Sequence, residues 1–501
     1  MPGFFTVSRA CLIVAALGGL IGSAAAADLK VALSTNLNTL DPATATFGEE
    51  YVYSGLVFSA LMGTDADGKV YPDLAVSSQA SADLKSWDFK LRPGVRFQHG
   101  KPLTSEDVVF TFRRILEPGT GSGARSDLGL VESVEAVDDM TVRFKLSVPY
   151  ASFPELLTGR HMRILASDRA DSIKTSPSGT GPFRFVKYTP GDSVELERNP
   201  DYYGADRIKL DKVVLRIIPE AASRVAALRA GDIDMIWNAP LETIPDLKRN
   251  PDVAVDARPS GTWDGFVLNN TKPPFNDVRV RRAVYLTLDK RALVQFALDG
   301  QGEPTHSPIA PTDPAFNKAI GFQPNIAEAK RLMAEAGHPN GFKLDITVPV
   351  GRPARERLGV VAQQLLRQIG IQVAVQRVPY NRYSTEIAGI APMYVDGFFA
   401  RTVIDAAVYP WFHSKGAWNG RMWRYSSPRM DAVLDEARRT PAVDKQRDLY
   451  RQYQQIMVDE VPGIIAYVSN VATAYRTSVK NYRTNPFLWL DLADVENVKA
   501  P

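Results

Sequence analysis

The apolar positions of this chain follow two periods, and residues 87–114 pass from one to the other. Trp87, Phe89 and Leu91 alternate with polar neighbours, the two-residue period of a half-buried strand. Pro93-Gly94 fits the central pair of a type II turn, and Val95 and Phe97 resume the extended pattern before a second turn at Gly100. Thr104 then predicts a helix cap. Glu106 and Asp107 stand in the positively polarised first turn, and Val108, Val109, Phe112, Ile115 and Leu116 form the apolar stripe.

The rest of the chain reads as mixed α/β, with hairpins in the first half and longer helices in the second. Residues 183–199 predict a hairpin around Pro190-Gly191-Asp192, residues 213–218 a strand, and residues 223–231 a short helix ended by a left-handed glycine. After Pro273-Pro274, Asn276 is expected to cap a helix carrying Val280, Ala283, Val284 and Leu288; Asp289 caps the next, which stops at Gly300. Asn325 with Glu328 predicts a capping-box start, and Gly337 the end of that helix. A βαβ unit follows. Phe342, Leu344, Ile346 and Val348 alternate, Leu358, Ala362, Leu365 and Ile369 recur at helical spacing, and Ile371, Val373 and Val375 alternate again, so parallel pairing is expected. These stripes are core positions rather than ligand boxes.

Composition narrows the class. Lys and Arg number 59 against 56 Asp and Glu, a formal net charge of +3, and no basic block of the kind that neutralises a phosphate backbone is present, so nucleic acid is not an expected partner. Arg9, the apolar run CLIVAALGGLIG and the small residues after it read as a signal peptide over residues 1–27, cleaved after Ala26 or Ala27. The single cysteine, Cys11, lies ahead of the apolar run and not at the cleavage point, so a lipid anchor is not expected and the mature chain has no thiol or disulfide. The mature length, about 475 residues, exceeds one hydrophobic core and calls for two or three domains. Residues 117–125, EPGTGSGAR, mark a mobile surface loop; no G-K-[ST] follows to make them a phosphate cradle.

In wording and spacing, residues 87–114 resemble the signature of the peptide/nickel family (family 5) of extracytoplasmic solute-binding proteins, which feed ABC importers. The resemblance runs on through Leu40-Asp41-Pro42 and the following EEYVYSGLVFSALM, through residues 179–203, 224–234 and 269–283, and into residues 425–437, 447–450 and 459–462. It implies an α/β, two-lobed periplasmic binding protein fold (type II, cluster C-like) with an extra inserted domain in lobe one. The divisions it implies are 28–71 and 177–262 for lobe one, 72–176 for the inserted domain, 263–480 for lobe two, and 481–501 for a C-terminal return to lobe one. Such proteins close by hinge rotation on a small ligand, and the ligand shifts that balance only through contacts to both lobes. The resemblance also implies a periplasmic monomer working with ABC permease subunits in the inner membrane, with a peptide or peptide-like solute and no cofactor.

Candidate ligand contacts follow from the resemblance. Thr46 and Phe47 stand where family members approach the ligand from lobe one; Trp263 and Asp264 lie at the lobe crossover; Trp411 and Trp418 belong to an aromatic-rich stretch. Asp405 is placed where peptide-binding members hold the ligand's ammonium, after a strand at residues 393–399, although Ala406 replaces the usual proline and the customary preceding acidic residue is missing. On that reading, replacing Asp405 weakens binding and leaves the unliganded fold intact. Arg401 is a candidate carboxylate clamp. His413 has no nearby second histidine or cysteine, so no metal is expected. A secreted hydrolase is the rival class, but the chain has no G-x-S-x-G, H-E-x-x-H or P-loop. A receptor adaptor or peptide-binding chaperone would use the same cleft.

Overall fold

The computed structural model describes Gly3 and residues 28–498; the expected leader, its cleavage point and Cys11 lie outside the described residues. One mixed eleven-stranded sheet runs through both lobes. On the lobe-one side, Asp28–Leu33 pairs in parallel with Lys212–Ile217 and Met235–Ile236, and the hairpin Phe183–Thr189/Ser193–Arg198 adds to the far edge. On the lobe-two side, Lys343–Pro349 pairs in parallel with Gln372–Val378, the pairing expected of the βαβ unit, and Met393–Phe398 joins them to the centre.

The centre consists of two long antiparallel strands, Val253–Leu268 and Ile464–Arg476, which pass from one lobe to the other. Their ladder is interrupted between Pro259 and Trp263. There the backbone is held by side chains instead: Ser260 Oγ donates to the Ser469 carbonyl at 3.0 Å, and Thr262 Oγ1 accepts from Ala400 N at 3.2 Å. A ladder that yields to side-chain bonds at one level is where two packed bodies can rotate. Just beyond it the strands close tightly, since a Cβ on Gly265 would stand 2.2 Å from the Ile464 carbonyl oxygen.

Residues 75–146 build a separate antiparallel sheet, ordered Ala75–Ala80, Ser86–Leu91, Thr141–Leu146, Val131–Asp138. Helix Ser105–Leu116 packs on it, and Trp87, Phe89, Phe112, Phe144 and Phe153 fill a core of its own. Gly94 has φ +77, as the type II turn requires. Three local expectations need correcting. The cap of helix Val278–Thr287 is Asp277, whose carboxylate accepts from Arg279 N at 2.8 Å, because Asn276 is still inside the preceding turn, its N–H bonded to Lys272 O. Asp299, not Gly300 alone, turns left-handed to end helix Lys290–Leu298. Asn325 caps Ile326–Glu335 through Glu328 N, but Glu328 pairs with Arg331 instead of closing the box. Among the described residues no helix is long and apolar enough to cross a membrane.

Candidate functional site

On the lobe-one side, the cleft starts at the first turn of helix Gly48–Val57. The buried Glu50 carboxylate accepts from the backbone N–H groups of Asn38, Thr46 and Phe47, which pins the preceding loop and leaves Thr46 and Phe47 exposed. One turn on, Tyr51 donates to the Ala45 carbonyl, and the same carbonyl receives His161 Nε2 at 2.9 Å. Burial, aided by the positive charge of Arg401, holds the His161 imidazole down to about 4, so it is neutral at physiological pH. The floor is a hydrogen-bonded platform in which His161 is neutral and the Glu50 carboxylate is satisfied by backbone N–H groups.

Two guanidinium groups lie within electrostatic reach of Tyr51 and of each other. Arg160 is buried, donates through Nη2 to Ala400 O at 3.2 Å in lobe two and to Phe487 O at 2.8 Å in the C-terminal return, and lies between the rings of Tyr51 and Phe399. Arg401, half-buried on the lobe-two side, is within electrostatic reach of Arg160, His161, Tyr51 and Asp127. Among the described residues neither arginine has a carboxylate within ion-pair distance. Burial and then the Arg401 charge bring Arg160 down to about 10. Two cations within electrostatic reach of each other in a partly desolvated cleft repel, and an anion near both relieves them.

Beside them, a cavity of about 300 Å³ opens between the inserted domain and lobe two, with Asp127, Leu156, Asp405, Lys415 and Arg438 in its wall. Further direct bonds join the two sides: Thr158 Oγ1 to Thr402 Oγ1 at 2.5 Å and Ala151 N to Arg438 O at 3.1 Å. Asp405, however, is already engaged. Arg438 reaches it with Nη2 at 2.8 Å and Nε at 3.2 Å, and the pair is almost wholly buried.

The other sequence candidates separate into cleft and core. Trp263 and Trp411, each 2% exposed, belong to the lobe-two interior and pack on each other edge to face at 6.0 Å, which corrects the expectation that they wall the cleft. Their indole surface is used up by Phe398 and Trp423. Trp418 is the half-buried outer layer of that stack, 5.0 Å from Trp411 and nearly parallel to it. Asp264 is tied to Arg355 Nε at 2.8 Å and to the Tyr467 hydroxyl, so it holds strands together rather than presenting a free carboxylate. His413 is buried, stacked on Tyr409, with Nδ1 accepting from Lys415 N; among the described residues no group of three or more potential ligands is arranged to hold a metal ion. Of the other predicted residues, Thr46 and Phe47 are exposed in the loop before Tyr51, and Arg401 is within electrostatic reach of Tyr51. Tyr51, Asp127, Arg160, His161, Phe399 and Phe487 were not singled out in the sequence. They come from five separate segments, and no local pattern in the sequence joins them.

The profile of the "Bacterial extracellular solute-binding proteins, family 5 Middle" matches residues 69–420. Among curated proteins, the chain is 30% identical to "Heme-binding protein A" of Haemophilus influenzae over 87% of this chain and 85% of that one. It is 26% identical to "Glutathione-binding protein GsiB" of Pectobacterium atrosepticum over 98% and 99%. Among solved structures, it superposes with a TM-score of 0.81 at 27% identity on the periplasmic binding protein DppA from Helicobacter pylori in complex with the peptide STSA, covering 94% of this chain and 98% of that one. The profile spans most of the chain and both lobes: the protein belongs to the bacterial extracellular solute-binding proteins of family 5, the binding components of ABC importers.

Proposed function

We propose that this protein captures an acidic peptide-like solute in the periplasm and delivers it to its permease, with the solute's carboxylates held by Arg160 and Arg401. The observation that carries this is the pair of guanidiniums that, among the described residues, have no carboxylate within ion-pair distance, one reaching across the lobe boundary and one standing on the lobe-two side. A planar guanidinium receives a carboxylate through two parallel N–H bonds, and enclosure strengthens them. Phe47 and Phe399, the first on lobe one and the second on lobe two, are exposed apolar side chains suited to the solute's non-polar part, and Trp418 extends the lobe-two wall. Glutathione, named in one relative, and the STSA peptide of the solved DppA complex are both peptides ending in a carboxylate. Capture here is without turnover, and the leader ending at Ala26 or Ala27 directs export.

Calorimetric titration of the mature protein with glutathione, Ser-Thr-Ser-Ala and the basic dipeptide Lys-Lys tests this reading. Binding of glutathione or the tetrapeptide is expected, with none of Lys-Lys, and bound solute raises the melting temperature in a concentration-dependent way. Arg401→Met should weaken binding by about tenfold or more, the effect of losing one charge-assisted hydrogen bond. Preference for Lys-Lys, or affinity unchanged in Arg401→Met, overturns the assignment. The mass of the periplasmic protein, matching cleavage after Ala26 or Ala27, checks the route of export.

A further inference from the structure

We infer that Asp127, in the inserted domain, is the carboxylate that receives the ammonium group of the bound solute. This rests on the solute occupying the cleft as proposed above. In the sequence the aspartate assigned to that task is Asp405, and the structure shows why it is a poor candidate: Arg438 occupies both carboxylate oxygens with well-formed bonds, and a second cation would have to displace it. Asp127 lines the same cavity from the opposite side and, among the described residues, has neither a hydrogen-bond donor nor an ion-pair partner on its carboxylate. Two unlike environments on one cavity leave one free anion.

The segment carrying Asp127 is the glycine-rich stretch that follows helix Ser105–Leu116. It is held against the cleft floor, since a Cβ on Gly123 would stand 3.1 Å from His161 Nε2. Ser122 Oγ accepts from Ala124 N and fixes the short turn Gly123–Arg125 that delivers Asp127. Leu130, Val148 and Leu156 form apolar wall around it, so its charge is poorly hydrated. Burial disfavours the ionised form, Arg401 favours it, and the nearby Asp405 charge opposes it. An ammonium placed there offsets the burial and leaves Arg401 free for a carboxylate. The resulting pattern, one anion for an ammonium and two guanidiniums for carboxylates, matches a peptide with a free amino group and two acidic groups, the charge arrangement of glutathione.

The experiment is a double-mutant cycle in the calorimeter with glutathione and its N-acetylated derivative as probes, against wild type and Asp127→Asn. Asp127→Asn is expected to weaken glutathione binding by about tenfold or more. Acetylation is expected to weaken binding to wild type by a similar factor and to have little further effect on Asp127→Asn. Because acetylation removes the ammonium charge on the probe, the test does not depend on the variant folding; a thermal melt of the unliganded variant checks that separately. If wild type binds glutathione but tolerates acetylation, or if Asp127→Asn binds as tightly as wild type, Asp127 has no such role while the functional reading stands. If wild type binds neither glutathione nor Ser-Thr-Ser-Ala, the functional reading fails and this assignment falls with it.

Discussion

Arg355→Leu is expected to destabilise the protein by about 3–5 kcal/mol at neutral pH, the range for removing one member of a buried ion pair. Arg355 holds three groups at once: Nε to Asp264 at 2.8 Å, Nη1 to Asp396 at 2.8 Å, and Nη2 to the Gly397 carbonyl at 2.6 Å. Asp264 belongs to a crossing strand and Asp396 to its neighbour Met393–Phe398, so the guanidinium clamps the sheet where lobe two meets the hinge. Burial alone would discharge Arg355, but Asp264 and Asp396 outweigh it and raise its affinity for a proton. Burial already pushes the Asp396 carboxyl up, with Arg355 the main opposing influence. Without Arg355 the Asp396 carboxyl faces Asp264 in a desolvated site, and its folded-state value rises further. A carboxyl whose folded value lies above its unfolded one stabilises the fold when protonated, and that contribution is lost as pH rises through the folded value. The deficit of Arg355→Leu should therefore shrink as pH is lowered from neutral towards about 4, the unfolded carboxylate value. Urea titrations at several pH values measure it; a loss below about 1 kcal/mol, or one that ignores pH, would show that the triad is a solvated surface pair.

What could be read from the sequence was whatever depends on local periodicity. The strand at Trp87, the turn at Gly94, the helix after Thr104 and the parallel βαβ unit after Gly337 all rest on neighbours within about one helix length in sequence, and the fold reproduces them. The misplaced cap at Asn276 shows the limit of that logic. Asn and Asp cap equally well in isolation, and the preceding turn decides which is one residue outside the helix.

The site was less legible, because its chemistry depends on which charges find partners at long range. Asp264, Asp405 and Arg401 look alike in sequence: each is a charged residue in a stretch assigned to the cleft. The fold pairs Asp264 with Arg355, 91 positions away, and Asp405 with Arg438, 33 positions away, and among the described residues leaves Arg401 without an ion-pair partner. Trp263 misled for a related reason. A tryptophan at a strand crossing reads as a wall, but Phe398, Trp411 and Trp423 arrive from elsewhere to enclose it.

Asp405→Asn is expected to reduce unliganded stability by about 3–5 kcal/mol, contrary to the sequence-based expectation that this change spares the fold. The side chain is buried, its two oxygens accept from Arg438, and the Arg438 guanidinium lies 3.4 Å from the Tyr409 ring centroid with Tyr150 of the inserted domain 5.1 Å away. Removing the negative charge strands that cation between two aromatic faces with little access to water. The damage extends across the lobe boundary, because the Arg438 carbonyl receives Ala151 N from the inserted domain and any shift of the helix Pro428–Arg439 end loosens that contact. Arg438→Met should be similarly costly through the opposite imbalance, whereas Asp405→Leu combined with Arg438→Met removes both charges and should recover most of the loss. Denaturant unfolding of the three variants measures this directly. If Asp405→Asn unfolds at the wild-type midpoint while solute affinity collapses, the carboxylate belongs to the ligand after all and Arg438 releases it on binding; a stable double variant beside two unstable single ones would instead establish the pair as part of the framework on which Asp127 and Arg401 are displayed.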